Sequence, residues 1–78
     1  MITKIDKIDI KTQSDHNDLW IIWFKYGDLD RFTYLTKKSR DYWLKRGIKE
    51  FKIGMPINVI PVEPKYYKII GAGDEVIP

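Results

Sequence analysis

Hydrophobic residues along this chain recur mainly with the alternation of β-strands. Ile8 and Ile10 alternate with charged residues, whereas the run 19–24 is apolar on both faces, which is typical of a central strand covered on both sides. Segment 2–12 also shows an isoleucine spacing of three that suits a helix. Its β-branched composition and the absence of a preceding cap favour a strand, with a bulge near Asp6 where the phase changes.

One segment departs from the strand pattern and predicts a helix over residues 37–47. Thr36 or Ser39 can cap its first turn. The predicted buried stripe consists of Leu44, Ile48 and Phe51. Gly47 either ends the helix, with Ile48 folding back, or lies inside it at a cost of ~1 kcal/mol. We favour an end at Gly47, because basic residues then occupy the last turn and complement the helix dipole.

The pattern therefore predicts an α+β domain with the element order β-β-β-α-β-β. Strands are predicted at 2–12, 19–26, 31–36, 57–62 and 65–70, with turns at 14–18 and 27–30. The 78 residues are expected to form a single compact domain over 1–78, with a tail at 74–78 that frays. The fold is either a small, strongly bent antiparallel sheet or a partly open barrel with one helix. Barrels of the OB and SH3-like kinds have about this many strands. The predicted core consists of Ile21, Trp23, Leu44, Phe51, Ile57 and Val59.

Composition narrows the class of protein. Hydrophobic residues make up 44% and charged residues 32% of the chain, too apolar for a disordered tail and too charged for a membrane protein. The longest apolar run is far shorter than the ~20 residues that span a bilayer. The first residues show no secretory signal, and the chain has no cysteine and hence no disulfide. We expect a cytoplasmic protein with no membrane partner.

Residues that carry catalysis are scarce. His16 is the only histidine, and its neighbours 15–18 are predicted to form a turn without the ligand spacing of an EF-hand. Ser14 and Ser39 lie outside any nucleophile elbow, and segment 71–74 lacks the lysine of a phosphate-binding loop. We therefore expect no enzymatic activity, no cofactor, no bound metal and no small-molecule substrate.

The excess positive charge is concentrated in segment 37–52. This segment contains seven Lys or Arg residues and two acidic residues, a net charge of +5 within a chain of net charge +3. The candidate binding residues are Lys37, Lys38, Arg40, Tyr42, Trp43, Lys45, Arg46, Lys49 and Lys52. Cations that follow phosphates and aromatic rings that stack on bases are the needs of a nucleic-acid binder. A charged helix face that only keeps the domain in solution is the alternative.

Two further interpretations remain open. The pairs Trp20/Trp23 and Phe32/Tyr34 offer a second stacking surface. The lack of polar alternation near Trp23 nevertheless favours a place in the core for most of these side chains. The second function class is a protein-interaction module or inhibitor, of the kind that phages and mobile elements encode, which docks on an acidic surface of a partner protein. The leading hypothesis is a non-enzymatic protein that contacts nucleic acid, or a nucleic-acid-processing complex, through the basic aromatic helix.

Overall fold

A computed structural model describes residues 1–12, 18–63, 66–73 and 76, and within them it shows five strands and one helix. The elements are β1 Ile2–Thr12, β2 Asp18–Tyr26, β3 Leu29–Leu35, α1 Lys37–Lys45, β4 Pro56–Glu63 and β5 Tyr66–Ala72. The prediction of an α+β domain with one antiparallel sheet and one helix is confirmed. The predicted turn around His16 lies outside the described residues. Of the tail predicted to fray, only Val76 is described, and its side chain is buried.

The five strands form one sheet with the spatial order β3-β2-β1-β4-β5, and neighbouring strands are antiparallel. Strand β2 lies inside the sheet, as its apolar sequence predicts. A tight turn with Gly27 at a φ of 64° joins β2 to β3. The predicted turn 27–30 is too long, because Leu29 and Asp30 already pair with Tyr26 and Lys25. The sheet order places β3 and β5 at its two edges.

Strand β1 bends because it changes partner along its length. Residues Ile2 to Lys4 lie opposite β4, whereas the register from Ile5 to Thr12 lies opposite β2. A register shift between Ile5 and Lys7 marks the change, which confirms the bulge predicted near Asp6. The bend curls the sheet, so that the Thr33 hydroxyl of β3 donates a hydrogen bond of 2.7 Å to the Tyr67 carbonyl of β5. Between the described parts of these two strands there is no ladder, and the sheet does not close.

Strand β4 runs through Pro61 to Glu63, one residue beyond the predicted end at residue 62. Pro61 lies opposite Tyr67 at a register irregularity of the β4–β5 pair. Strand β1 pairs with β4 only at residues 56–58. At Pro61, the side of β4 that faces away from β5 therefore has no paired strand. A proline is tolerated at such a position because it has no N–H to leave unpaired.

The core lies inside the curl of the sheet and beneath the helix. It consists of Ile5, Ile22, Phe24, Leu35, Trp43, Phe51, Ile57, Val59, Ile69 and Ala72. The predictions for Ile21, Phe51, Ile57 and Val59 are confirmed, since all four are buried. The prediction for Leu44 is wrong, because its side chain is 54% exposed. Trp23 is only half-buried, on the outer face of the sheet.

Candidate functional site

The helix that carries six of the nine predicted binding residues is bounded by local capping. The Thr36 hydroxyl accepts a hydrogen bond from the Ser39 N–H at 3.2 Å, which selects Thr36 as the N-cap. Gly47 has a φ of 96°, and its N–H donates to the Leu44 carbonyl while the Ile48 N–H donates to the Trp43 carbonyl. These two bonds form a Schellman motif, which confirms the prediction that Gly47 ends the helix.

Two of the predicted binding residues are structural. Trp43 is 4% exposed and belongs to the core, so little of its side chain is available for the predicted contact with a partner. The Arg40 guanidinium donates to the backbone carbonyls of Asp18 at 2.8 Å and Leu35 at 2.9 Å, and it lies over the Trp20 ring. Arg40 therefore joins the helix to β2 and β3, and its charge is already engaged.

Tyr42 is exposed, and its ring is supported by its neighbours. Its side chain is 53% exposed, and its ring meets the Trp43 ring edge-on with centroids 5.1 Å apart. The Arg46 guanidinium lies 5.4 Å from the Tyr42 centroid and 5.7 Å from the Trp43 centroid. These cation–π contacts hold Tyr42 in place at the surface.

The remaining cations of segment 37–52 point to different sides of the molecule. Five lysines of this segment are exposed: Lys37, Lys38, Lys45, Lys49 and Lys52. Lys38 and Tyr42 line one groove, whereas Lys49 lines hollows that involve Leu44 or Ile53. Lys52 forms an ion pair of 3.0 Å with Glu50. The structure thus does not bring all the predicted residues together as one site. Of the predicted residues, Lys38, Tyr42 and the buried Trp43 line the groove.

This groove lies between β3, β5 and α1, and we call it the β3–β5 groove. Its volume is about 460 Å³. Its lining includes Tyr34 from β3, Lys38 and Tyr42 from α1, and Lys68 and Ile70 from β5. Lys68 is a binding candidate that sequence reasoning missed. The only sequence feature that could have indicated Lys68 is its position in β5, between the inward-facing Tyr67 and Ile69.

A row of aromatic side chains leads to the groove across the outer face of β2 and β3. We call Trp23, Phe32 and Tyr34 the aromatic row. Trp23 lies opposite Phe32 in the ladder, with ring centroids 5.0 Å apart, and the Phe32 and Tyr34 centroids are 5.5 Å apart. Phe32 is 40% and Tyr34 48% exposed, so their assignment to the core is wrong. Thr33 and Leu35 point inward instead, because residues alternate between the faces of a strand.

The half-buried Trp23 is oriented by a polar contact. Its indole N–H donates to the Asp9 carboxylate at 3.2 Å, and the same carboxylate oxygen lies 3.6 Å from the Lys7 ammonium. Register places Lys7 directly opposite Trp23 on the outer face. The row is therefore bordered by charged side chains of β1.

Charge differs between the two ends of the aromatic row. At the β2–β3 turn, a hydrogen bond from Lys25 to the Asp30 carboxylate, reinforced by the charges of Asp30, Asp6 and Asp28, raises the pKa of Lys25. Lys25 thus stays charged, and the carboxylates around it offset its charge. At the other end, Tyr34 borders the β3–β5 groove, where Lys38 and Lys68 provide positive charge. A polyanion is attracted to the groove end and repelled from the turn.

Within the residues that the structure describes, no group of three or more His, Cys, Asp or Glu side chains is arranged to hold a metal ion. His16 and its neighbour Asp15 lie outside that part. No helix in the described segments has the length and apolar character to cross a membrane.

Comparisons with protein-family models, with curated protein sequences and with solved structures returned no match for this chain.

Proposed function

We propose that this protein is a non-enzymatic binding protein for nucleic acid, which it contacts through the aromatic row and the adjoining β3–β5 groove. The observation that carries the proposal is the exposure of Phe32 and Tyr34, whose rings contact one another, with the Trp23 ring in contact with Phe32. Burying these rings against nucleobases removes apolar surface from water. Each stacked base contributes about 1–3 kcal/mol, whatever its identity.

The distribution of charge supports the same surface. Lys38 and Lys68 lie in the groove at the Tyr34 end, and Lys7 and Lys11 occupy outward positions on β1 at the other side of the row. A backbone that runs beside the row meets lysines on both of its flanks. The proposed interface thus differs from the basic helix alone, because it recruits lysines from β1 and β5 and leaves Lys49 and Lys52 outside.

The curl of the sheet supports a partly open barrel as the finer architecture. Strands β3 and β5 approach each other at Thr33 and Tyr67 without forming a ladder. Five-stranded, partly open barrels of the OB kind bind oligonucleotides on the face of their second and third strands. The aromatic row lies on that face here, which is an argument by analogy and adds to the argument from the residues.

The test is a fluorescence-anisotropy titration with labelled single-stranded DNA and RNA at low and at physiological salt. Phe32→Ala and Tyr34→Ala should each weaken binding by about 1–3 kcal/mol, or roughly 5- to 150-fold. Tyr66→Ala is the matched control, since Tyr66 is 62% exposed but belongs to β5 and not to the aromatic row. Absence of binding at low salt, or equal losses in all three variants, contradicts the proposal.

A second candidate is the protein-interaction module. The observation in its favour is a set of exposed apolar side chains on β4 and β5, namely Ile60, Val62 and Ile70. Exposed apolar surface of this kind marks contact sites for other proteins. Binding to a protein through such an apolar face should change little with salt, whereas nucleic-acid affinity falls steeply.

A further inference from the structure

The β3–β5 groove exists because the two edge strands approach each other without pairing. The Thr33 hydroxyl bridges to the Tyr67 carbonyl at 2.7 Å, and this bond holds the strands together at one point. The helix covers the third side, fixed by the buried Trp43 and by the hydrogen bonds of Arg40 to two backbone carbonyls. The walls of the groove are thus held by contacts that do not use its lining lysines.

The lining combines aromatic rings with positive charge. Tyr34 and Tyr42 are both about half-exposed and come from different elements, β3 and α1. Lys38 and Lys68 face the same space, and among the described lining residues there is no carboxylate. An anion with an attached planar apolar group satisfies both features, because the lysines match its charge and the rings match its flat surface.

We infer that this groove receives one unstacked nucleotide of a single strand, with its base against Tyr34 and Tyr42 and its phosphate beside Lys38 and Lys68. The inference rests on the proposed function and adds a strand preference to it. The groove volume of about 460 Å³ lies within the ~300–1,000 Å³ typical of small-ligand sites. Tyr34 belongs both to the groove and to the aromatic row, so the strand continues from one to the other.

A duplex does not fit this arrangement without cost. Its bases are stacked on both sides and paired, so that a base enters the groove only after it leaves the stack. A single strand exposes its bases and bends freely, and aromatic platforms take such bases without regard to sequence. Single-stranded oligonucleotides should therefore bind more tightly than a duplex of the same length and charge.

The experiment measures the affinity of the full chain for a short labelled oligothymidylate and for a matched duplex. Tyr42→Ala should weaken single-strand binding roughly 5- to 150-fold, whereas Tyr42→Phe, which keeps the ring, should retain it. Log affinity falls with log salt, and Lys68→Ala should make this fall shallower by about 0.7 in slope, the value for one lost phosphate contact. Tyr66→Ala and Lys4→Ala are the matched controls, because both residues are exposed and lie outside the groove lining.

The outcomes separate this inference from the proposed function. One outcome is that oligonucleotides bind and Phe32→Ala weakens the binding, while Tyr42→Ala and Lys68→Ala behave like their controls. In that case the groove inference is overturned and the aromatic row stands. Equal affinity for the duplex and the single strand also overturns it. If no oligonucleotide binds at low salt, both ideas fail. Thermal melts of each variant identify any loss that comes from unfolding, and Tyr42→Phe then decides whether the ring matters.

Discussion

The three tryptophans of this protein have different surroundings. Trp43 is enclosed by the core beneath the helix, and Trp20 packs against that core with the Arg40 guanidinium over its ring. Trp23 is half-buried on the outer face, where its indole N–H binds Asp9. The same residue type thus serves the core in one place and a candidate contact surface in another.

Substitution of the tryptophans should reveal this difference in the free energy of unfolding. Trp43→Ala should cost about 3–5 kcal/mol, because it empties a large buried volume. Trp23→Ala should cost clearly less, since part of its ring is already in water. Denaturant unfolding of both variants, followed by circular dichroism, measures the two values. A larger loss for Trp23→Ala would show that the outer face is covered by something other than solvent.

Sequence patterns predicted that Phe32 and Tyr34 share one face of a strand, but the preference for the core as the side to which that face points was wrong. Either Phe32 with Tyr34 or Thr33 with Leu35 satisfies the alternation. The interior of the curled sheet is already occupied by large side chains such as Phe24 and Trp43, so the smaller pair points inward. Which pair points inward depends on the volume available inside the curled sheet, and this volume cannot be predicted from the sequence of one strand.

Helix α1 has only nine residues, so the capping contacts at its two ends contribute much of its stability. A helix this short is marginal in isolation and depends on packing and caps. The sequence predicted the cap at Gly47 correctly, because a glycine after basic residues and before an apolar residue has a direct physical interpretation. Within the predicted buried stripe only Leu44 was wrong. The stripe continued the helical spacing through Ile48 and Phe51, which lie beyond the helix end but still pack against or in the core. Trp43, not Leu44, then faces the core.

Gly47→Ala tests the role of this helix end. With a φ of 96° and no atom within 4 Å of an added Cβ, the substitution introduces backbone strain without a steric clash. We expect a loss of about 1–2 kcal/mol in the free energy of unfolding. Gly47→Asn should cost less, because asparagine tolerates the left-handed region better. If alanine and asparagine at this position prove equally neutral in a thermal melt, the Schellman motif contributes nothing to stability.

At the scale of the molecule, the bend of β1 and the contact between β3 and β5 shape the surface. Chain order and strand number followed from the periodicity of the sequence. The spatial order β3-β2-β1-β4-β5 did not, because it depends on which long-range pairings form. The β3–β5 groove, and the position of Lys68 in its lining, are consequences of that order. No local sequence pattern predicts them.

Thr33→Val tests the contact that joins the two edge strands. The change keeps the shape of the side chain but removes the donor to the Tyr67 carbonyl, and a buried group left unpaired costs about 1–3 kcal/mol. Thr3→Val is the matched control, because the Thr3 hydroxyl makes the same kind of bond to the Lys25 carbonyl at an exposed site. Urea unfolding should show a larger loss for Thr33→Val, together with faster amide exchange at Ile69. Equal losses would mean that water replaces both bonds equally well.

The unpaired edges of β3 and β5 have a consequence for the behaviour of the protein at high concentration. An open strand edge can pair with the same edge of another copy and start aggregation, and lysines beside such an edge oppose this by mutual repulsion. Lys38 and Lys68 border the space between the two edges. We expect these lysines to oppose such pairing as long as no anion offsets their charge. Replacing both with alanine should increase self-association, which light scattering detects as a rise in average mass with concentration.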